Sequence, residues 1–383
     1  MPFDSKTDLL HVQPDVLRLS GLLALIGGLV VLSAVYGASL RVPVLAVVGV
    51  GLGFVLFQST FGFAGSFRAV LERGDASGFR AQAVALAVAS VLFFPLLGMG
   101  PMFGLHLGGF NAAIGVTFLI GAVMFGLGMQ IGGGCASGTL FALGGGNLRL
   151  MMTLLFFIVG SAVGAASLQW WWGLPRLPAW TSQGLLGWPF ALAVHLAIFA
   201  AVWRFAPGSS PALQPVRGPW LGPWSLIAGA VGLGLLNAAT LVIAGRPWGE
   251  TAGFALWGSK WALMAGFDVA AWPYWQGNPG PLRASVFSDI TSVMDFGIIL
   301  GATLAAVVSG RFVLQWRVPP QAWAGAALGG FLMGYGARLS GGCNIGAYFS
   351  ALASGSVSAW AWVAAAFVGS WIGLRLRPLF RLA

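Results

Sequence analysis

Charge is what this sequence lacks. Of its 383 residues 19 are Lys or Arg and 9 are Asp or Glu. Soluble domains carry about 25% charged residues, so a water-soluble globular chain is excluded. Apolar residues instead come in unbroken runs of about twenty, the length that crosses a bilayer core as a helix. They do not form the alternating segments of about ten residues that build an outer-membrane barrel. The fold class is therefore an all-α integral membrane protein. Cysteine is nearly absent as well. Two residues cannot make the disulfide framework of a secreted domain, so their importance lies in thiol chemistry or in position. The three histidines, His11, His106 and His195, show no ligand spacing, and the sequence supports neither a metal site nor a cofactor. The formal charge of +10 would suggest nucleic acid in a soluble protein; here it reports orientation in the membrane, and no nucleic-acid partner is expected. A signal peptide is not expected either, because Asp4, Asp8 and Asp15 against Lys6 and Arg18 is the wrong balance for an n-region.

What the sequence has is glycine, 59 residues of it, which lets helices approach closely and lets the backbone break where protein lines a cavity. The runs that read as helices are 19–37, 42–58, 79–98, 111–131, 148–170, 185–204, 222–244, 285–309, 320–338 and 357–375, ten in all. Four apolar, glycine-bounded pieces are too short to cross: 61–73, 135–143, 249–264 and 343–353. Pieces of this length read as half-helices or re-entrant segments. With the amino terminus in the cytoplasm, thirteen basic residues fall inside (Lys6, Arg18, Arg68, Arg73, Arg80, Arg149, Arg204, Arg217, Arg311, Arg317, Arg375, Arg377 and Arg381) and three outside (Arg41, Arg176 and Arg283). Both termini are therefore expected in the cytoplasm, and the protein in the bacterial inner membrane.

The chain repeats. GAVMFGLGMQIGGGC at 121–135 aligns with GGFLMGYGARLSGGC at 329–343, cysteine on cysteine, and FIVGSAVG at 157–164 falls on AFVGSWIG at 366–373 with one residue of slip. Four crossings lie between the matched helices, an even number, so the two copies run in opposite directions. The expected organisation is a first half over 1–204 with an extra amino-terminal helix, a linker over 205–219 rich in Pro, Ser and Gly, and an inverted second half over 220–383. Transporters built this way hold substrate near the midplane, where the repeats meet.

Each cysteine follows a double glycine and opens a short helix: Gly133-Gly134-Cys135 with Ser137 beyond it, and Gly341-Gly342-Cys343 with Asn344 beyond it. Free amides at a helix amino terminus favour an anion, and a thiol is a weak donor on soft, polarisable sulfur. The pair suits a sulfur-bearing anion on a narrow path. Two plainer readings stand beside this one: a cysteine packed as a small apolar group, and a disulfide joining the two if their Cα atoms lie within about 7 Å.

The segments GMQIGGGCASGTLFALGGGN (128–147), GRPWGETAGFALWGSK (245–260) and GARLSGGCNIGAYFSALASG (336–355) resemble the signature segments of the YeeE/YedE family of inner-membrane sulfur-transport proteins, over roughly 42–375. The resemblance implies uptake of thiosulfate through a central constriction, by a relay in which cysteine thiols hydrogen-bond the passing ion. Cys135 and Cys343 match the family's cysteines in two segments. In the first short segment, where the family commonly has a cysteine between two phenylalanines, this chain has Gly62.

Charged residues at membrane depth are costly and are functional candidates. Arg338, whose repeat mate is Gln130, is placed to attract an anion, unless it pairs with Asp289 or Asp295 or snorkels. Arg246 and Lys260 bracket the third short segment as a vestibule or as headgroup anchors. Asp289 and Asp295 are candidates for a coupling proton, with capping and packing the preferred roles. The reading is a thiosulfate transporter and not an enzyme, with membrane lipid around it and a cytosolic sulfur-carrier protein as a candidate partner. The rivals are a sulfurtransferase that forms a cysteine persulfide, and a carrier of another oxyanion or a selenium species.

Overall fold

The computed structural model describes residues 10–11, 16–37, 39–100, 106–208, 218 and 220–382. Lys6, Arg217 and most of the linker expected at 205–219 lie outside the described residues. In chain order the helices are α1 (Val16–Tyr36), α2 (Arg41–Ser59), α3 (Phe63–Arg73), α4 (Ser77–Gly98), α5 (Val116–Gly132), α6 (Ala136–Gly144), α7 (Arg149–Ser167), α8 (Ser182–Leu186), α9 (Trp188–Phe205), α10 (Leu226–Ala244), α11 (Thr251–Met264), α12 (Gly280–Arg283), α13 (Ile290–Val308) and α14 (Pro320–Leu339). A π-helical stretch, Asn344–Ser350, then runs into α15 (Ala351–Ala353), and α16 (Ser358–Leu376) follows. The only sheet among the described residues is a two-residue antiparallel pair, β1 (Leu10–His11) with β2 (Val313–Leu314).

Among the described residues, nine helices are long and apolar enough to cross a membrane. The remaining long helix, α14, is diluted by five glycines (Gly325, Gly329, Gly330, Gly334 and Gly336), Gln321 and Arg338. It packs extensively against both α5 and α7, so its polar content faces protein. All four short segments are helical, as α3, α6, α11 and the π-helix with α15.

Two helices begin five residues later than their apolar runs. Residues 111–115 precede α5 as extended chain, held by hydrogen bonds from Leu177 N–H to Ile114 O (2.7 Å) and from Ser356 Oγ to Asn111 Oδ1 (2.8 Å). Residues 285–289 are set off from α13 by two caps: Ser285 Oγ accepts from Phe287 N–H, and Asp289 Oδ2 accepts from Ser292 N–H and Oγ at 2.8 and 2.7 Å. Local side-chain acceptors outcompete the helix here because they satisfy the same orphan amides.

Glycine decides the packing. Within a membrane no hydrophobic drive pushes helices together, and close van der Waals fit takes its place. Gly330 and Gly334 of α14 lie on the carbonyls of Thr153 and Phe157 in α7. Gly126 of α5 lies on Ala366 of α16, and Gly53 of α2 on Ile298 of α13. At each position an added methyl would strike backbone, so the helices meet main chain to main chain. The outer helices differ: α1 and α9 leave Leu25, Val35, Phe190 and Phe205 exposed, as lipid-facing helices do.

Candidate functional site

Four times a long helix stops at a left-handed residue and a short helix starts a few residues later. The stops are Thr60 (φ 50°), Gly133 (φ 89°), Gly245 (φ 76°) and Gly341 (φ 72°). The residues that then cap the short helices are Gly62, Cys135, Glu250 and Cys343. Glycine supplies three of the four breaks because only it adopts a left-handed backbone without strain.

The four short helices start in one buried layer. The Phe63 ring, at the start of α3, lies 6.2 Å from the Tyr348 ring and 6.1 Å from that of Phe349 in the π-helix. Gln130 Nε2 donates to Ala64 O at 3.3 Å and ties the end of α5 to α3. The start of α11 joins through Glu250, which accepts from the Cys343 thiol (Sγ to Oε2, 3.6 Å). The loop before it is pinned by Asn237 of α10, whose Oδ1 accepts from Trp248 N–H at 2.9 Å, and by Ser350 Oγ, which donates to Trp248 O at 2.7 Å.

Each sulfur replaces a missing helix acceptor. Cys135 Sγ accepts from Gly138 N–H at 3.4 Å, and Cys343 Sγ accepts from Ile345 N–H at 3.4 Å. With the backbone feeding the sulfur, the Cys343 thiol proton points to Glu250, while Cys135 Sγ and Ser137 Oγ lie 3.4 Å apart in a hydrogen bond that either can donate. Both cysteines are buried and free, so the disulfide reading falls. Gly134 and Gly342 are buried beside them, while Gly133 and Gly341, one residue earlier, are exposed. Gly133 packs under the Arg149 guanidinium.

Two cavities flank the layer. At the start of α5, Gly341, Arg338, Arg176 and Thr117 line a cavity of about 230 Å³. At the start of α4, Gly62, Ser66, Arg73, Asp75 and Ser77 line another of about 220 Å³. Gly62 is half-buried, and a side chain there would meet only Thr60 O, at 4.0 Å.

The charged candidates have separated. Arg338 donates to Tyr274 Oη (2.8 Å), Thr251 O (2.8 Å) and Thr251 Oγ1 (2.7 Å), so it braces the start of α11 and pairs with neither Asp289 nor Asp295. Arg246 donates to Thr291 Oγ1 at 2.9 Å and lines a cavity with Asp289. Lys260 Nζ donates to the carbonyls of Leu282 and Ala284 at 2.8 and 2.6 Å, which fastens α11 to α12 and to the residue after it. Asp289 caps α13 as expected of it. Asp295 does not cap: it is wholly buried, and both its oxygens lack a hydrogen-bond partner among the described residues. The same holds for both polar atoms of the Asn344 side chain.

Sequence reasoning missed Glu250. The signal was present, since Glu250 is the one acidic residue of the short segment 249–264. A carboxyl at membrane depth is a functional candidate by default.

The chain is similar in sequence to known transporters. The chain is 29% identical over 342 residues to the thiosulfate transporter TsuA of Spirochaeta thermophila, covering 85% of this chain and 95% of that one. It is 26% identical over 330 residues to the thiosulfate transporter TsuA of Escherichia coli, covering 78% of this chain and 84% of that one. With the probable transporter YedE of Escherichia coli it shares 30% identity over 158 residues, 41% of this chain and 39% of YedE. The model of the family described as sulphur transport matches residues 58–372, a span that contains all four breaks. The chain thus belongs to the sulphur-transport family, the YeeE/YedE family to which its glycine-cysteine segments pointed.

Proposed function

We propose that this protein carries thiosulfate across the bacterial inner membrane into the cytoplasm, passing it between the thiols of Cys343 and Cys135. The observation that carries the reading is the convergence of four short-helix amino termini on one layer, with a buried, unpaired thiol capping each of two of them. Relatives that align over most of the chain are named thiosulfate transporters, and both termini are taken as cytoplasmic from the distribution of basic residues.

The physical steps follow from the layout. The anion collects in the cavity that holds Arg338 and Arg176, on the outer side. To move inward it must shed water, and free N–H groups at the helix starts replace part of that hydration. Each thiol proton turns from its resting partner, Glu250 or Ser137, to the passing ion. A net hydrogen bond of this kind contributes about 1 kcal/mol, somewhat more to a charged acceptor. That is enough to favour entry and too little to trap the ion, as conduction requires. The anion leaves through the cavity beside Gly62 and Arg73, where a cytosolic sulfur-carrier protein takes it up.

The two halves act as inverted repeats. In support, α2 to α7 and α10 to α16 each follow the order long, short, long, long, short, long among their principal helices. The counterparts α5 and α14 run oppositely, Gly121 facing Gly336 and Gly128 facing Gly329. A persulfide mechanism finds less support, because among the described residues no basic side chain hydrogen-bonds either sulfur, and the partner of Cys343 is a carboxyl.

The test is uptake of doubly sulfur-labelled thiosulfate by proteoliposomes holding only this protein. Intact, doubly labelled thiosulfate inside and unmodified cysteines by intact-mass analysis are expected. Sulfite outside with one added sulfur atom on Cys135 or Cys343 would move the protein to the sulfurtransferases.

A further inference from the structure

At the starts of three of the four short helices stands a side chain that can offer a proton to an anion: Cys135, Cys343 and Glu250. We propose that Glu250 carries a proton on its carboxyl and is itself a donor on the anion path, acting beside Cys343 at the outer step. The inference rests on the reading of this layer as the thiosulfate path.

The geometry makes the case. Glu250 is 0% exposed, its Oε2 touches the Cys343 thiol, and its Oε1 has no hydrogen-bond partner among the described residues. A buried carboxylate is normally held by a cation, yet the one ion pair among the described residues is Arg73 with Glu72. The charged and titratable groups around it are accounted for. Arg338 of α14 spends its donors on Thr251 and Tyr274, and Arg246 donates to Thr291. Asp295 of α13 lies against Gly253 in the first turn of α11 and is itself unpartnered. Asp289 is committed to Ser292, and Cys135 and Cys343 are the facing thiols.

An ionised Glu250 would repel a dianion that arrives at contact distance in so buried a layer, and Asp295 behind it would add to the repulsion. Protonated, the same carboxyl both tolerates the ion and donates to it. When the Cys343 thiol swings from Oε2 to the anion, the carboxyl proton follows to the same target. The proton stays on Glu250 throughout, so no net proton crosses with the ion. Gln at this position keeps size and donor, and loses only the ability to ionise.

The experiment pairs uptake with infrared spectroscopy on the full-length protein. Labelled thiosulfate uptake is measured in proteoliposomes from about pH 6 to about pH 9 for wild type, Glu250→Gln and Glu250→Ala. Wild type should lose uptake toward the alkaline end. Glu250→Gln should stay within about threefold of the acidic-side wild-type rate with that loss abolished, and Glu250→Ala should fall by about tenfold or more, as loss of one hydrogen bond to a charged acceptor predicts. Infrared spectra of the substrate-free wild type should show a carboxylic-acid carbonyl band that Glu250→Gln removes, with Asp295→Asn identifying any second band. That band should shift when thiosulfate is added. The proposal is overturned if no such band belongs to Glu250, if Glu250→Gln is as inactive as Glu250→Ala, or if it keeps the wild-type pH profile. The substrate-free spectrum needs no transport, so it succeeds or fails independently of thiosulfate being the cargo.

Discussion

Alanine at position 334 and alanine at position 27 are the same chemical change, one methyl added to a long apolar helix, with opposite expected results. A Cβ on Gly334 would lie 2.7 Å from Ser161 N and 3.0 Å from Gly160 C, with Phe157 O closer still. Non-bonded carbon contacts settle at about 3.5–4.0 Å, so α14 and α7 must part by roughly 1 Å. That opening would also stretch the Ser161 Oγ bond to Gly334 O, 3.3 Å in the native protein. Overpacking of this kind costs about 1–3 kcal/mol. A Cβ on Gly27 of α1 meets nothing within 4 Å, and alanine there gains about 0.5–1 kcal/mol from the backbone entropy that glycine loses. The two variants should therefore differ by about 1.5–4 kcal/mol, a few degrees in apparent unfolding temperature for a chain of this size. The protein carries its own reporter, because Cys135 and Cys343 are 1% and 0% exposed and react with a thiol-specific fluorophore only as the bundle opens. Cys343 follows α14 and Arg149, packed on Gly133, begins α7, so Gly334→Ala should lower uptake as well as stability. If Gly334→Ala unfolded no lower than Gly27→Ala, the backbone contact between α7 and α14 would not be what holds this pair.

The remaining predictions concern the path. Cys343→Ala and Cys135→Ala should each cut thiosulfate uptake about tenfold or more while the protein still purifies as a single species, because each removes a donor to a charged acceptor; wild-type rates in either would reduce that cysteine to a packing residue. Serine at the same positions still donates and should keep partial activity. Gly342→Ala should damage uptake more than Gly134→Ala, since Gly342 has φ 152° and a Cβ there would lie 3.0 Å from Ala347 N, whereas at Gly134 the nearest atoms are at 3.4 Å. Valine should block uptake at both positions, and normal uptake by both valine variants would remove these glycines from the path.

The backbone plan was largely legible in the sequence, and the reason is local. A double glycine before a cysteine marks the end of α5 and of α14, because the left-handed φ at Gly133 and Gly341 is a property of those residues. The four short helices were visible from length alone, since apolar runs of about 9–16 residues fall short of the roughly 20 that cross a bilayer. The side-chain partners were not legible. Glu250 meets Cys343 across 93 positions and Arg338 reaches Thr251 across 87, and no local periodicity encodes which polar atoms face one another at such separations. Asp289 and Asp295 show the boundary: the first is a helix cap, recognisable from its neighbours, and the second is a buried group whose setting depends on how α11 packs against α13.

A membrane that stores energy as ion gradients is drained by any pore that leaks protons or sodium, and most transport proteins must close to prevent this. Here the insulation is built into the backbone. Four short helices turn their positive ends to one layer, as do the half-helices that keep cations out of water channels. If this layer is the anion path proposed above, a cation entering from either mouth would meet that barrier whether or not substrate was bound, and the amides that favour the anion would at the same time spare the ion gradients.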